Sequence, residues 1–287
     1  MILVSPQSPL APIGVQAALE FPKIFEEFAL HDRVGIVSGG IGGLGLEMAV
    51  AMCEAGARAI YCLDLPEEPS PEFKAAQAYL EAMDFDGGQR PRLQYVQLDV
   101  TDQKAVWEGV EEIGDREGRM DVCVAAAGIL RAHTDCLRYR EQSWDVNVNG
   151  VLYTAQAAGQ QMERFGNRGS IILIASMSGT ITNRDHAWVS YNTSKSAVLQ
   201  MARNMACELG RKNIRVNSLS PGHIYTSMTA AYLDKQPHLS EKWSNLNPMG
   251  RIGRPDEMRG VCVWLASDAS SFCTGSDIIV SGGHHSW

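Results

Sequence analysis

The sequence predicts an α/β protein: a doubly wound three-layer sandwich built on a parallel sheet of about seven strands. Three observations predict it. Seven short apolar runs alternate with helix-length segments from Val34 onward, the pattern of repeated strand-helix units whose sheet is covered on both faces. A glycine-rich stretch, SGGIGGLG at 38–45, lies between the first run and the first helical segment, the context in which glycines open a helix N-terminus to a dinucleotide. No composition break or internal repeat divides the array, so residues 31–287 are read as one domain and 1–30 as an N-terminal arm.

Strands are expected at VGIVS (34–38), AIYCLD (59–64), LQYVQLD (93–99), DVCVAAA (121–127), SIILIAS (170–176), IRVNSLS (214–220) and DIIV (277–280). After the first, LEMAVAMCEAG has the apolar spacing of a helix that Gly56 ends. PEEPSPEF and DGGQRP bracket a helix at Glu72–Met83, read as a surface insertion. Asn147, in VNVNG, falls on the helix before the fifth strand, and YNTSK (191–195) opens a helix that continues as SAVLQMARNMACEL. The apolar part of that helix, Ala197–Leu209, is a candidate subunit interface. The segment Pro221–Arg254, rich in Tyr, Met, Trp and His, precedes a helix starting near Asp256, and connections this long are often lids. Three prolines in the first dozen residues suggest an extended arm leading to a short amphipathic stretch at 21–30.

The formal charge of -8 leaves no basic surface for phosphates, which argues against a nucleic acid or an anionic membrane as partner and for a small molecule. The seven cysteines, scattered and never spaced as CxxC, read as reduced packing residues of a cytoplasmic protein. No apolar run reaches the roughly 18 residues of a membrane span, and MILVSPQSPLAP lacks the basic start and long apolar core of a secretory signal. His284 and His285 have no acidic partner in the sequence, so no metal is expected.

The glycines parse in two registers: Gly40, Gly42 and Gly45 fit GxGxxG, and Gly39, Gly43 and Gly45 fit GxxxGxG. Either register brings backbone N–H groups to a pyrophosphate at a positive helix end, which a side chain would obstruct. Asp64 closes the second strand, where a carboxylate accepts hydrogen bonds from both adenosine ribose hydroxyls. A 2′-phosphate there would meet a like charge with no Arg or Lys nearby in sequence. At about 5 Å and an effective dielectric of about 20 the repulsion is a few kcal/mol before screening, so NAD(H) is expected over NADP(H).

Tyr191 and Lys195, four apart, share one helix face. A Tyr-x-x-x-Lys alone is common. Here Ser176 ends the strand upstream, Asn147 lies on a preceding helix, and PGHIYT (221–226) follows the next strand. In this order, with the GxxxGxG register, the chain resembles the compact single-domain branch of the short-chain dehydrogenase/reductases, from about Val34 to Gly283. The resemblance selects Gly39, Gly43 and Gly45 as the functional glycines, with Gly40 and Gly42 keeping the turn open, and implies a Rossmann-type fold and a homotetramer or homodimer. It makes Tyr191 the acid/base, Lys195 its electrostatic partner and ribose anchor, Ser176 the donor to the substrate oxygen, and Asn147 the holder of a relay water. Ser38, Leu44, Leu65, Asp99, Val100, Ala126, Ala127 and Gly128 would line the adenosine side of the cofactor, with Pro221, Gly222, Ile224 and Thr226 at the nicotinamide end.

A lysine ammonium about 4 Å from the phenol, at an effective dielectric of about 20, would favour phenolate by roughly 4 kcal/mol, making Tyr191 competent to take the proton of an alcohol while hydride leaves its carbon. This sequence departs from the family's NNAG in reading AAAG (125–128), which removes a supporting side-chain bond. Ser178 lies closer to the usual serine-to-tyrosine separation, whereas Ser176 sits where the strand ends. The substrate pocket is expected from 183–188, the region near Ile129, and 225–243, with Trp188 and Met228 on its wall. His186 and His223 are either substrate contacts or packing residues. IASMSG followed by ITN, PGHIYTSMTAAYL and CTGSDIIVSGGHH look like fungal polyol and ketose reductases of the arabinitol, mannitol and xylulose reductase type. The alternatives are a ketone reductase of secondary metabolism and a non-catalytic NAD(H) sensor, for which the Asn-Ser-Tyr-Lys set would be superfluous. A nucleotide-sugar epimerase, which also uses Tyr-x-x-x-Lys, would need a longer C-terminal substrate region.

Overall fold

The structure, a computed structural model, describes residues 23–85, 90–130, 134–139, 143–234 and 237–287. Most of the N-terminal arm and part of DGGQRP therefore lie outside the described residues. Seven strands, β1 (Val34–Ser38), β2 (Ala59–Asp64), β3 (Arg92–Gln97), β4 (Val122–Ala125), β5 (Gly169–Ile174), β6 (Ile214–Pro221) and β7 (Asp277–Val280), form one sheet in the order β3-β2-β1-β4-β5-β6-β7. Every neighbouring pair is parallel. β1 and β5 are buried along their whole length, as strands covered on both faces must be.

The helices are α1 (Lys23–Phe28), α2 (Gly43–Glu54), α3 (Pro71–Ala82), α4 (Gln103–Glu117), α5 (Val151–Phe165), α6 (Val189–Leu209), α7 (Ser227–Leu233), α8 (Pro237–Asn245) and α9 (Arg259–Ala266). One apolar core joins α4, α5 and α6 to one face of the sheet, and a second joins α2, α3 and α9 to the other, which gives the three layers. Local signals set the ends. Ser70 accepts from Phe73 N at 3.0 Å to cap α3, Asp102 accepts from Ala105 N at 3.0 Å to cap α4, and Gly118, with φ 69°, closes α4.

Three expectations change. The helix read as an insertion is the crossover between β2 and β3; α3 buries Phe73 and Leu80 in the second core. The apolar side chains of 197–209 belong largely to the molecule's own core, through Val198, Leu199, Ala202 and Ala206, while Gln200, Arg203 and Cys207 face outward. Cys53, Cys62, Cys123 and Cys262 are buried packing residues, but Cys136 and Cys207 are exposed. Burial pushes the Cys53 thiol up to about 12, which makes it unreactive. Leu30, at the end of the arm, is fully buried and its N–H donates to Ala55 O at 2.8 Å. No helix of the described residues is long and apolar enough to cross a membrane.

Candidate active site

The strand order turns back on itself between β1 and β4, and at the carboxyl ends of β1, β4, β5 and β6 lies a cleft of about 500 Å³. Parallel sheets place ligands at such a switch point because the loops on either side diverge. One wall is the glycine turn. Gly39 has φ 67°, and a Cβ there would stand 2.9 Å from the Ala127 backbone; a Cβ on Gly45 would overlap the Gly39 carbonyl. Gly42 and Gly43 leave the N-terminus of α2 open, with nothing within 4 Å of a Cβ on Gly42. Gly40 has another reason to be glycine: its missing side chain makes room for Cys62.

Ser38 is fully buried beneath this turn and does not reach the cleft wall. Its carbonyl accepts from Ala126 N at 3.2 Å and its hydroxyl from Ala127 N at 3.4 Å, so the AAAG backbone is supported from β1 despite its lack of polar side chains. Asp64, at the end of β2, lines the far end of the cleft together with Leu65, Asp99 and Val100. Its carboxylate accepts from Leu65 N at 2.9 Å and Ile41 N at 3.4 Å. Among the described residues no arginine lines the cleft, and its one lysine is Lys195.

Ser176, two residues after β5, caps a short 3-10 turn by accepting from Ser178 N at 3.1 Å, and it lines the cleft together with Tyr191. Ser178 also lines the cleft, but its hydroxyl donates to Asn183 Oδ1 at 2.8 Å. Of the two serines, it is Ser176 that acts on the Tyr191 phenol. Lys195 is 4% exposed, donates to Ile174 O at 2.8 Å and lies 5.8 Å from the Tyr191 ring centroid. Burial raises the Tyr191 phenol above its ordinary value, against a lowering by Ser176, and burial lowers the Lys195 ammonium to about 8. The expectation that the amine makes this phenol acidic is therefore not met here. The ammonium is turned to a backbone carbonyl, and burial dominates the phenol.

Asn147 sits in a π-helical turn (Asp145–Gly150) ahead of α5 and is fully buried. Its amide oxygen accepts from Ile129 N at 2.8 Å, and its nitrogen donates to Ile129 O at 3.0 Å and Ser194 Oγ at 3.2 Å. The side chain pins the end of the β4 loop to α6 and does not line the cleft. Between them runs Gly128, where a Cβ would stand 3.5 Å from Asn147 Oδ1 and 3.6 Å from Lys195 Nζ.

The opposite wall is aromatic. Trp188, Trp243 and His223 line it with Met177, Leu130 and, at the exposed rim, Met228. Trp188 meets Tyr191 edge-on at 6.4 Å. His186 lies behind this wall, stacked on Trp188 at 4.1 Å and accepting from Trp243 Nε1 at 3.2 Å, so it packs the wall and does not line it. The segment after β6 folds as α7 and α8, closed over the cleft by Trp243 and tied to the 183–188 loop by an ion pair of Lys242 with Asp185 at 2.6 Å. Pro221, Gly222, Ile224 and Thr226 line the adjoining end of the cleft. Sequence reasoning did not single out Trp243 or Met177. The spacing of Leu239 and Trp243, both buried, was an available signal for Trp243; none pointed to Met177.

Residues 39–285 match the family model described as enoyl-(acyl carrier protein) reductase. Sorbose reductase sou1 of Schizosaccharomyces pombe is 40% identical over 265 residues, covering 90% of this chain and 97% of that protein. The NADP-dependent mannitol dehydrogenase of Hypocrea jecorina is 32% identical over 268 residues, covering 91% and 96%. A gluconate 5-dehydrogenase from Burkholderia cenocepacia, solved in complex with NADP and tartrate, superposes with a TM-score of 0.80 at 28% identity, covering 92% of this chain and 99% of that one. A dinucleotide-type cleft at the switch point, lined by Ser176, Tyr191 and Lys195, fits a nicotinamide-dependent oxidoreductase. The chain belongs to the short-chain dehydrogenase/reductase family.

Proposed function

We propose that this chain interconverts a secondary alcohol and a ketone of a polyol or ketose with NAD(H), using Tyr191 as acid/base. The observation that carries the reading is that Ser176, Tyr191 and Lys195 line the same cleft as the glycine turn and Asp64. The cradle fits a dinucleotide, since it is open where a side chain on Gly42 would stand and presents the start of α2 to a pyrophosphate. Bound there, the nicotinamide supplies or accepts hydride at the carbinol carbon.

The chain's own residues do the rest. Ser176 donates to the substrate oxygen and steadies its charge. Tyr191, held as a phenol by burial, gives its proton to that oxygen in reduction and recovers it in oxidation. Lys195 anchors the ribose, and Asn147 holds the backbone of the β4 loop beside it. Leu44, Ala126, Ala127 and Gly128 would pack the adenosine half, and Pro221, Gly222, Ile224 and Thr226 the nicotinamide half. The polyol assignment draws on relatives whose names are sorbose reductase and mannitol dehydrogenase. The active form is read as a cytoplasmic homodimer or homotetramer.

NAD(H) is favoured over NADP(H) because Asp64 closes the ribose end and, among the described residues, no arginine lines the cleft to receive a 2′-phosphate. The test is a screen of sugar alcohols and ketoses followed by absorbance of the reduced nicotinamide, with both cofactors compared on one accepted substrate. NADH should exceed NADPH in kcat/KM by about tenfold or more, from a repulsion of about 3 kcal/mol before screening. A clear NADPH preference would refute the role of Asp64, a concern that the NADP-dependent relatives make concrete.

A further inference from the structure

Among the described residues, the cleft wall facing Ser176 and Tyr191 is made of indoles, thioethers and Leu130, with one imidazole among them. His223 is only 9% exposed, lines the cleft, and meets no hydrogen-bond partner for its ring nitrogens among the described residues. Its ring nitrogens are not among the fully buried unpartnered atoms, so they are open to a polar group that enters the cleft. Its ring lies flat on Trp243, with centroids 4.1 Å apart and planes 9° from parallel, and the edge of His284 closes on it at 5.0 Å and 85°. His284 is itself held by Asn247 Oδ1 at 3.0 Å, and Asn247 Nδ2 donates to Arg251 O at 2.7 Å. The imidazole plane is thus set by α8 on one side and by the C-terminal turn on the other. Burial, then His284 and His186, lower His223 to about 3, which leaves it neutral, with one donor and one acceptor. Ser178, the other polar group on this side, already gives its proton to Asn183.

We propose that His223 recognises a substrate hydroxyl on the carbon beside the reacting carbonyl, and that His284 of the C-terminal turn is the positioning residue that aims it. The inference rests on the polyol reading and deepens it: the enzyme would select a hydroxylated carbon chain over a plain one through a single neutral imidazole.

The test compares dihydroxyacetone with acetone as NADH-dependent substrates. His223→Phe should lower kcat/KM for dihydroxyacetone about tenfold more than for acetone, chiefly through KM, because a site built to bond a hydroxyl discriminates by that bond. His223→Gln, which restores a donor and an acceptor, should recover part of the selectivity, and it carries the test where His223→Phe does not bind NADH. His284→Phe should move the same ratio in the same direction by less. If wild type prefers dihydroxyacetone and neither His223 variant changes that preference, this inference falls while the polyol reading stands. A wild type that reduces acetone as well as dihydroxyacetone overturns both.

Discussion

Tyr191 and Lys195 stand one helical turn apart on α6, yet burial governs the ionisation of both. Desolvation keeps Tyr191 a phenol and lowers Lys195 to about 8. A phenol is the form that ketone reduction needs, so Tyr191 stays competent across neutral pH. The Lys195 charge is present below about pH 8 and is lost as pH rises through that value. If the ammonium assists the step, kcat/KM for ketone reduction should hold at neutral pH and decline through about 8; a profile flat to pH 9 would show that its charge is not needed. Tyr191→Phe removes the transferable proton and leaves the ring in place. It should lower turnover by at least about 100-fold while NADH binding, followed by fluorescence, changes little. Equal loss of both would assign Tyr191 a structural role. The acid/base pair was legible from YNTSK in its context, but the direction of the pKa shifts was not, because burial depends on what packs around the helix.

The glycine turn is the element on which cofactor binding depends, and its glycines act for different reasons. Gly39 combines φ 67° with a close approach to the Ala127 backbone, so an added Cβ meets strain and overlap together. Gly42 faces open space. Gly39→Ala should therefore destabilise the fold by about 1–3 kcal/mol, measured by urea unfolding, whereas Gly42→Ala should cost well under that and weaken NADH binding instead. Comparable unfolding midpoints for the two variants would contradict this division. The GxxxGxG register and the strand before it were readable in the sequence. The contact of Gly40 with Cys62 was not, because the two residues are brought together only by the pairing of β1 with β2.

For the whole molecule, the seven-strand order with its reversal between β1 and β4 creates one cleft that both the cofactor and substrate readings share. The sheet ends in β7, half-exposed along its length, and Phe272 and Trp287 stand exposed on the same C-terminal part of the chain. The proposed dimer or tetramer should sediment at two or four times the 31.4 kDa chain mass; a monomer across the micromolar range would remove that proposal. By itself the sequence determined the layered architecture and the seven strands, and it offered Asn147, Ser176, Tyr191 and Lys195 as candidates, because hydrophobic period, turn residues and short motifs are local properties of the chain. Tertiary structure alone decided that α3 is a crossover, that Asn147 uses its amide on Ile129, that His186 packs behind the wall while His223 faces the cleft, and that a turn at the C-terminus reaches the site. Each of those depends on residues far apart in sequence meeting in a packed interior, where burial and the available hydrogen-bond partners assign the role of each side chain.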